Sequence, residues 1–294
     1  MPPEFRDHAA YLVLPTKATA IPLKDIPGLS DIQLINLYAS HSLVGALLSA
    51  RKDTGESPKP MDYGFFIATF DPDNGNRSLI EIPVSYQVIQ FAILPSGDFV
   101  IFGYDTAGST PRLWLLDSSG EIKRPIQLPD EVQRTIKTLP KDKKLDGLPA
   151  TVVDSIQGSL AFGMARFTSY GDKVLFWDAG KKSALEIGNG GRVREVPIES
   201  PKGYDFDGFI PSNDRWIVQF KRSGLPQTGE IDMRPETQNI VYYEVTASDG
   251  TLRRKLNFGS GQNAWTACEY DGVLMGFKID DKQHLIPVTA DLGK

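Results

Sequence analysis

Short apolar runs alternate with glycine-containing turns along most of this chain. Residues 93–102 show an apolar run, a Pro-Ser-Gly-Asp turn and a second apolar run, and residues 112–129 show a similar order. The Ser-Gly, Asn-Gly and Asp-Gly pairs in such turns provide residues that accept the positive φ of a hairpin. The pattern therefore predicts a series of antiparallel hairpins.

The hairpins recur as the two halves of a four-stranded unit. Copies of the first half occur at residues 93–102 and 209–218, with weaker copies at 166–176 and 267–275. Copies of the second half occur at residues 65–83, 112–129, 183–197 and 240–256. A unit that repeats at this period is typical of the blades of a β-propeller. We therefore predict an all-β fold, a single β-propeller domain of four-stranded antiparallel blades over residues 1–294.

The last strand of each unit carries prolines and cations, which are typical of an outer strand with one edge open to water. These residues are Pro83, Pro125, Pro129, Pro197, Lys123, Arg124, Arg192, Arg194, Arg253, Arg254 and Lys255. Outer-strand markers at Pro22, Pro83, Pro129, Pro197 and Leu256 predict five blades. Six blades are the alternative, if residues 151–167 add strands.

The two ends of the chain are expected to close the ring. The sequence stops at Lys294, where the other units have the turn before their outer strand. Residues 19–23 have the outer-strand pattern. We therefore expect the N-terminal segment to pair with the C-terminal blade. Residues 11–14 then form an additional strand that has no position in this blade.

Residues 91–104 followed by 112–129 resemble bacterial β-propeller repeat proteins of the six-bladed TolB-like and NHL-like kind. The resemblance covers most of the chain and consists of strand and turn patterning, without a functional motif. It implies a propeller fold. Because propellers serve as binding scaffolds, lactonases, lyases and dehydrogenases, it does not imply one function.

The long insertions fall on one face of the predicted disc. In a blade of strands a to d, the a–b and c–d turns lie on one face, and the b–c loops and interblade links lie on the other. Residues 51–62 and 221–238 are b–c loops, and residues 130–150 are a link in which residues 130–138 are expected to form a short helix. Long insertions in compact domains are commonly functional, so this face is predicted to bind the ligand or partner.

Polar and aromatic residues at the strand ends and links of this face are the candidate binding residues. They are Asp105, Asp178, Tyr204, Asp205, Asp207, Lys221, Arg222, Asn263 and Trp265. Cations on two of the insertions favour an anionic partner. These cations are Lys221, Arg222, Arg234, Lys141, Lys143 and Lys144.

Composition and charge narrow the class of protein. A net charge of −5 and a pI near 5.3 argue against a nucleic-acid partner. The one cysteine, Cys268, cannot form an intrachain disulfide, and His8, His41 and His284 do not have a spacing that is typical of a metal site. No membrane span or signal segment is recognised, so a cytoplasmic location is expected, or export if the N terminus was trimmed. A monomer without a cofactor is expected.

Two functions of different classes remain. The first is a non-catalytic binding module that recognises a protein, peptide or glycan on the long-loop face. The second is a lactonase-like hydrolase or lyase that holds a divalent metal on the propeller axis, for which Asp205, Asp207 and Asn263 are the available ligands. The sequence favours the first because it contains no nucleophile set, metal cluster or cofactor loop.

Overall fold

The computed structural model describes residues 10–14, 17–21, 26–40, 43–53, 55, 63–71, 75–83, 86–105, 110–128, 165–178, 182–212, 215–223, 240–257, 265–279 and 284–292. The chain divides into two compact units, residues 1–163 and 164–294.

The first unit contains a hairpin and two four-stranded antiparallel sheets. Strands β1 (Ala10–Leu14) and β2 (Lys17–Ile21) pair with each other. The first blade consists of β3 (Leu29–Ala39), β4 (Val44–Lys52), β5 (Tyr63–Phe70) and β6 (Arg77–Ile82). The second blade consists of β7 (Tyr86–Ile93), β8 (Phe99–Asp105), β9 (Thr110–Leu116) and β10 (Ile122–Ile126).

The second unit contains three further sheets. The third blade consists of β11 (Ala165–Tyr170), β12 (Lys173–Asp178), β13 (Ser183–Ile187) and β14 (Val193–Pro197). The fourth blade consists of β15 (Tyr204–Ile210), β16 (Trp216–Arg222), β17 (Ile240–Val245) and β18 (Leu252–Leu256). The fifth is three-stranded, with β19 (Trp265–Tyr270), β20 (Val273–Ile279) and β21 (Leu285–Asp291).

This succession of up-and-down antiparallel sheets confirms the predicted all-β propeller fold and its four-stranded blades. Within the described residues, five sheets have three or more strands, which agrees with the predicted five blades. The helix predicted at 130–138 lies outside the described residues, as does nearly all of the segment 151–167. Residues 11–14, for which the pattern offered no place, belong to β1 and pair with β2.

Two arginines join neighbouring blades of the second unit. Arg194 on β14 bonds Glu186 on the adjacent β13 and donates to the backbone oxygens of Ala247 and Ser248 in the fourth blade, each at 2.9 Å. In the fourth blade, Arg254 bonds Glu244 in the same way and donates to the backbone oxygen of Leu292 at 2.7 Å. The outer strand of one blade therefore holds the end of strand c, or the turn after it, in the next.

The carboxylate of Glu186 is ionised by this arrangement. Burial acts to raise the pKa of Glu186, but hydrogen bonds from Arg194 and Lys173 outweigh it and lower the pKa below its ordinary value. The glutamate side chain is only 9% exposed, so ionisation there requires these partners.

The glycine of a c–d turn also makes contact between blades. Gly250 has a φ of +72°, and a Cβ placed on it would lie 1.7 Å from the backbone oxygen of Pro197 in the third blade. The backbone oxygen of Gly250 accepts from the N–H of Glu199 at 3.1 Å. Only glycine can bring the turn this close to the preceding outer strand.

Candidate functional site

A β-bulge interrupts the innermost strand of four blades at a similar place. The register shifts at Ile35 in β3, Ile89 in β7, Asp207 in β15 and Ala267 in β19. A bulge leaves one residue out of the ladder and increases the local twist, and it commonly lies beside a functional site. Two of the bulged residues line a cleft in the first unit.

The cleft has a volume of about 490 Å³ and lies where the first blade meets the inner strand of the second. It is lined by Gln33, Ile35, Ser49, Tyr63, Gly64, Phe65, Gln87, Val88 and Ile89. Tyr63 begins β5, directly after the predicted insertion 51–62, and Gln87 is the second residue of β7. The cleft therefore opens at the strand ends that the long-loop prediction selects.

Packing between the two blades fixes the apolar wall of the cleft. Val88 and Phe91 of β7 are buried, and a Cβ added to Gly45 of β4 would lie 2.6 Å from the Phe91 ring. Glycine at this position makes room for the ring. Since Phe91 is only two residues beyond the bulged Ile89, this contact also fixes the position of the bulge.

The polar side chains that follow the bulges and those that line the cleft differ in whether they have a hydrogen-bond partner within the protein. Asn36 and Gln90, which follow the two bulges, bond each other with a nitrogen–oxygen distance of 2.6 Å. In contrast, Gln33, Ser49 and Gln87 make no side-chain hydrogen bond within the part of the chain that the structure describes. These three side chains are available to a ligand.

Tyr63 is held at the mouth of the cleft by a small polar network. Its hydroxyl donates to Asp31 Oδ2 at 3.0 Å, and Arg51 Nε lies 3.5 Å from the same oxygen. Arg51 also donates from Nε and Nη2 to Ser30 Oγ, at 3.1 and 2.9 Å. The hydrogen bond to Asp31 raises the pKa of the Tyr63 phenol above its ordinary value, so the phenol stays protonated.

Backbone strain accompanies this network. Asp31 has a φ of +51°, and Asp31 and Asp271 are the non-glycine residues with positive φ among those described. An L residue in this region costs on the order of 1–3 kcal/mol and commonly marks a functional position. Here the strained aspartate anchors both the phenol of Tyr63 and the guanidinium of Arg51.

Five of the predicted site residues meet in the second unit. Tyr204 pairs with Arg222 and Asp205 with Lys221 across the β15–β16 ladder. The bulged Asp207 accepts from Gln219 Nε2 at 2.6 Å and lies 3.3 Å from Lys221 Nζ. Both carboxylate oxygens of Asp207 thus already have a partner, and a cation bound there would compete with the Lys221 ammonium.

The remaining predicted residues are dispersed along the chain. Asp105 ends β8 in the first unit, while Asp178 ends β12 and Trp265 begins β19 in the second, so all three lie at strand ends as expected. Asn263 lies outside the described residues, and so do Arg234, Lys141, Lys143 and Lys144. Among the described residues, no group of three His, Cys, Asp or Glu side chains is placed to hold a metal ion.

Cys268 does not have the properties of an activated nucleophile. Burial, and to a lesser extent the charge of Glu269, raise the pKa of its thiol. A thiol with a raised pKa is protonated at neutral pH and therefore unreactive. None of the described segments forms a helix with the length and apolar character that a membrane crossing requires.

The sequence did not identify the lining of the cleft. The sequence contains one weak indication of this lining. A glutamine lies two residues before the bulge in each of the first two inner strands, at Gln33 and Gln87. The bulges near these two residues leave no pattern in the sequence, because Ile35 and Ile89 read as ordinary strand residues.

No family model and no curated protein matches the chain. Solved structures similar to it include a protein of unknown function from Bacteroides caccae, with 11% identity over 93% of this chain and 81% of that one and a TM-score of 0.43. Another is the β-propeller domain of the Trilobed protease from Pyrococcus furiosus, with 11% identity over 90% and 69% and a TM-score of 0.47. A third is a catalytically inactive variant of virginiamycin B lyase from Staphylococcus aureus, with 9% identity over 95% and 73% and a TM-score of 0.38. The neighbours thus include β-propeller proteins, and no matching family model supports the narrower TolB-like or NHL-like identity.

Proposed function

We propose that this chain is a non-catalytic binding module that holds its ligand or partner on the long-loop face, in the cleft of the first two blades. The observation that carries the proposal is the cleft itself. Its volume of about 490 Å³ is within the range of ~300–1,000 Å³ that is usual for ligand sites. The side chains of Gln33, Ser49 and Gln87 in its wall have no hydrogen-bond partner within the described residues.

The chemistry of the wall favours recognition over catalysis. Tyr63 is the one titratable side chain among the described lining residues. Its raised pKa keeps the phenol protonated, with the proton donated to Asp31, so Tyr63 does not act as a base at neutral pH. The cleft offers amides, hydroxyls and apolar surface, which fix the orientation of a ligand without activating it.

The anionic partner predicted for the long-loop face remains a prediction. There Arg222 is exposed, whereas the Lys221 ammonium is paired with Asp207. The other cations behind the prediction lie outside the described residues.

The experiment is a binding screen with a variant that fills the cleft. The purified chain is applied to peptide and glycan arrays beside Ser49→Trp, whose indole would occupy the cleft, and Ser96→Trp, which adds the same bulk at an exposed residue of a short a–b turn. We expect Ser49→Trp to lose the array signals that wild type and Ser96→Trp share. Equal signals from all three proteins would refute the cleft as the binding site, and conversion of the bound ligand, detected by mass spectrometry, would show an enzyme.

A further inference from the structure

The cleft presents neutral polar groups beside an exposed aromatic ring. Among its described lining residues none carries a formal charge at neutral pH, and the nearby cation Arg51 is occupied by Asp31 and Ser30. A ligand with a net charge would therefore find no counter-charge among these described residues. Uncharged ligands fit it better.

The carboxamides of Gln33 and Gln87 each offer a donor and an acceptor. Adjacent hydroxyl groups on a sugar ring offer the same pair in return, so one carboxamide can bond two neighbouring hydroxyls. The hydroxyl of Ser49 adds a third neutral group that donates and accepts. This combination matches a ligand with many hydroxyls.

Tyr63 provides the apolar half of such a site. The residue is 42% exposed, and the bond from its hydroxyl to the strained Asp31 restricts the orientation of the ring. An aromatic face that is held in place stacks on the C–H face of a pyranose ring with little loss of conformational entropy, since few rotamers have to be fixed. The orientation is thus set before the ligand arrives.

The backbone around the cleft disfavours an extended peptide. A peptide that adds to a sheet needs a regular row of unpaired N–H and C=O groups on an edge strand. The inner strands β3 and β7 are both bulged where they line the cleft, at Ile35 and Ile89. A bulge interrupts that row and twists the edge away.

We propose that the cleft binds a neutral saccharide, with the ring of Tyr63 as the stacking platform and Gln33, Ser49 and Gln87 as hydrogen-bond partners of the sugar hydroxyls. The cleft volume of about 490 Å³ suits a short oligosaccharide. This inference rests on the proposed function, because it assigns a ligand class to the same cleft.

The test uses a glycan array with neutral and acidic oligosaccharides and a peptide array, followed by titration calorimetry with the strongest neutral saccharide. Gln87→Ala and Tyr63→Ala should each weaken binding at least about tenfold, which corresponds to about 1.4 kcal/mol and is comparable to the loss of one or two hydrogen bonds. Gln127→Ala, which alters an exposed glutamine beyond the cleft, should bind as wild type does. Tyr63→Phe, which keeps the ring, should retain binding within a few-fold.

The outcomes separate the two proposals. If the array signals come only from acidic glycans or peptides and Ser49→Trp abolishes them, the saccharide inference is wrong and the binding function stands. An array without a neutral saccharide signal also refutes the inference. If Gln87→Ala and Tyr63→Ala unfold at the wild-type temperature and still bind the neutral saccharide fully, the saccharide is bound elsewhere.

Discussion

Substitution of Gly250 by alanine should destabilise the second unit far more than the same substitution at Gly190. Both glycines lie in c–d turns with similar φ, +72° and +70°, so the cost of forcing an L residue into this region is shared and amounts to roughly 1–2 kcal/mol. A Cβ at Gly190 meets no described atom within 4 Å, whereas at Gly250 it lies 1.7 Å from the Pro197 oxygen.

The additional cost at Gly250 follows from the contacts that a displaced turn gives up. Moving the turn away breaks the bond from the Glu199 N–H to the Gly250 oxygen, worth about 1 kcal/mol. It also weakens the two bonds from Arg194 to the turn, and bonds of a charged donor contribute about 1.5–3 kcal/mol. We therefore expect Gly250→Ala to lose about 2–4 kcal/mol more free energy of unfolding than Gly190→Ala.

Urea unfolding followed by tryptophan fluorescence measures this difference, because Trp177 and Trp216 both lie in the second unit. With a slope near 2 kcal/mol per molar, the Gly250→Ala midpoint should lie roughly 1–2 M below that of Gly190→Ala. Midpoints that agree within about 0.25 M, or about 0.5 kcal/mol at this slope, would show that the turn does not support the third blade.

The remaining predictions concern the ends of the chain, a carboxylate, a thiol and a loop. Deleting residues 1–28 should lower the melting temperature by many degrees if the N-terminal segment closes the ring, and a truncated chain melting within two degrees of wild type would exclude closure of this kind. Because the pKa of Glu186 is lowered in the folded state, its stabilising contribution is present above its unfolded pKa and is lost as the pH falls through the folded one. Wild type should therefore lose more stability than Glu186→Gln between pH 6 and pH 3, measured by urea titration at each pH. Cys268, whose thiol pKa is raised by burial, should react with a disulfide reagent at pH 8 far more slowly than the unfolded chain does, and equal rates would contradict its burial. Shortening residues 223–236 to a glycine-containing turn should leave the melting temperature nearly unchanged, because the entropy of closing a loop varies slowly with its length.

Local patterns in the sequence predicted the blades because each strand and turn is specified by neighbouring residues. Apolar runs, glycine at positive φ and proline on outer strands all act within a few positions along the chain. The cleft brings together Gln33 of the bulged β3 and Gln87 of the bulged β7, more than fifty residues apart along the chain. Nothing within either strand indicates where the other will lie.

The outer-strand arginines have a second role that their position in the sequence pattern does not indicate. The sequence pattern indicates that Arg194 and Arg254 are charges that protect an open edge. In the structure they also neutralise Glu186 and Glu244, which lie buried on the adjacent strands β13 and β17. A glutamate inside an apolar strand, repeated in two copies of the unit, was the available signal for these pairs.

The hydrogen bonds that Arg194 and Arg254 donate couple each blade of the second unit to the next blade along the chain. Each arginine belongs to one blade but completes its hydrogen bonds on backbone oxygens of the next, so the third blade depends on the fourth and the fourth on the fifth. If the fifth blade unfolds, Arg254 loses its bond to Leu292 beside the buried Glu244. The fourth blade is then destabilised, and the third blade after it. In a one-dimensional array, coupling between neighbours of this kind merges the separate transitions of the repeats into one. Under force applied at the C terminus, the three blades should therefore yield in a single step, without pausing at the boundaries between blades.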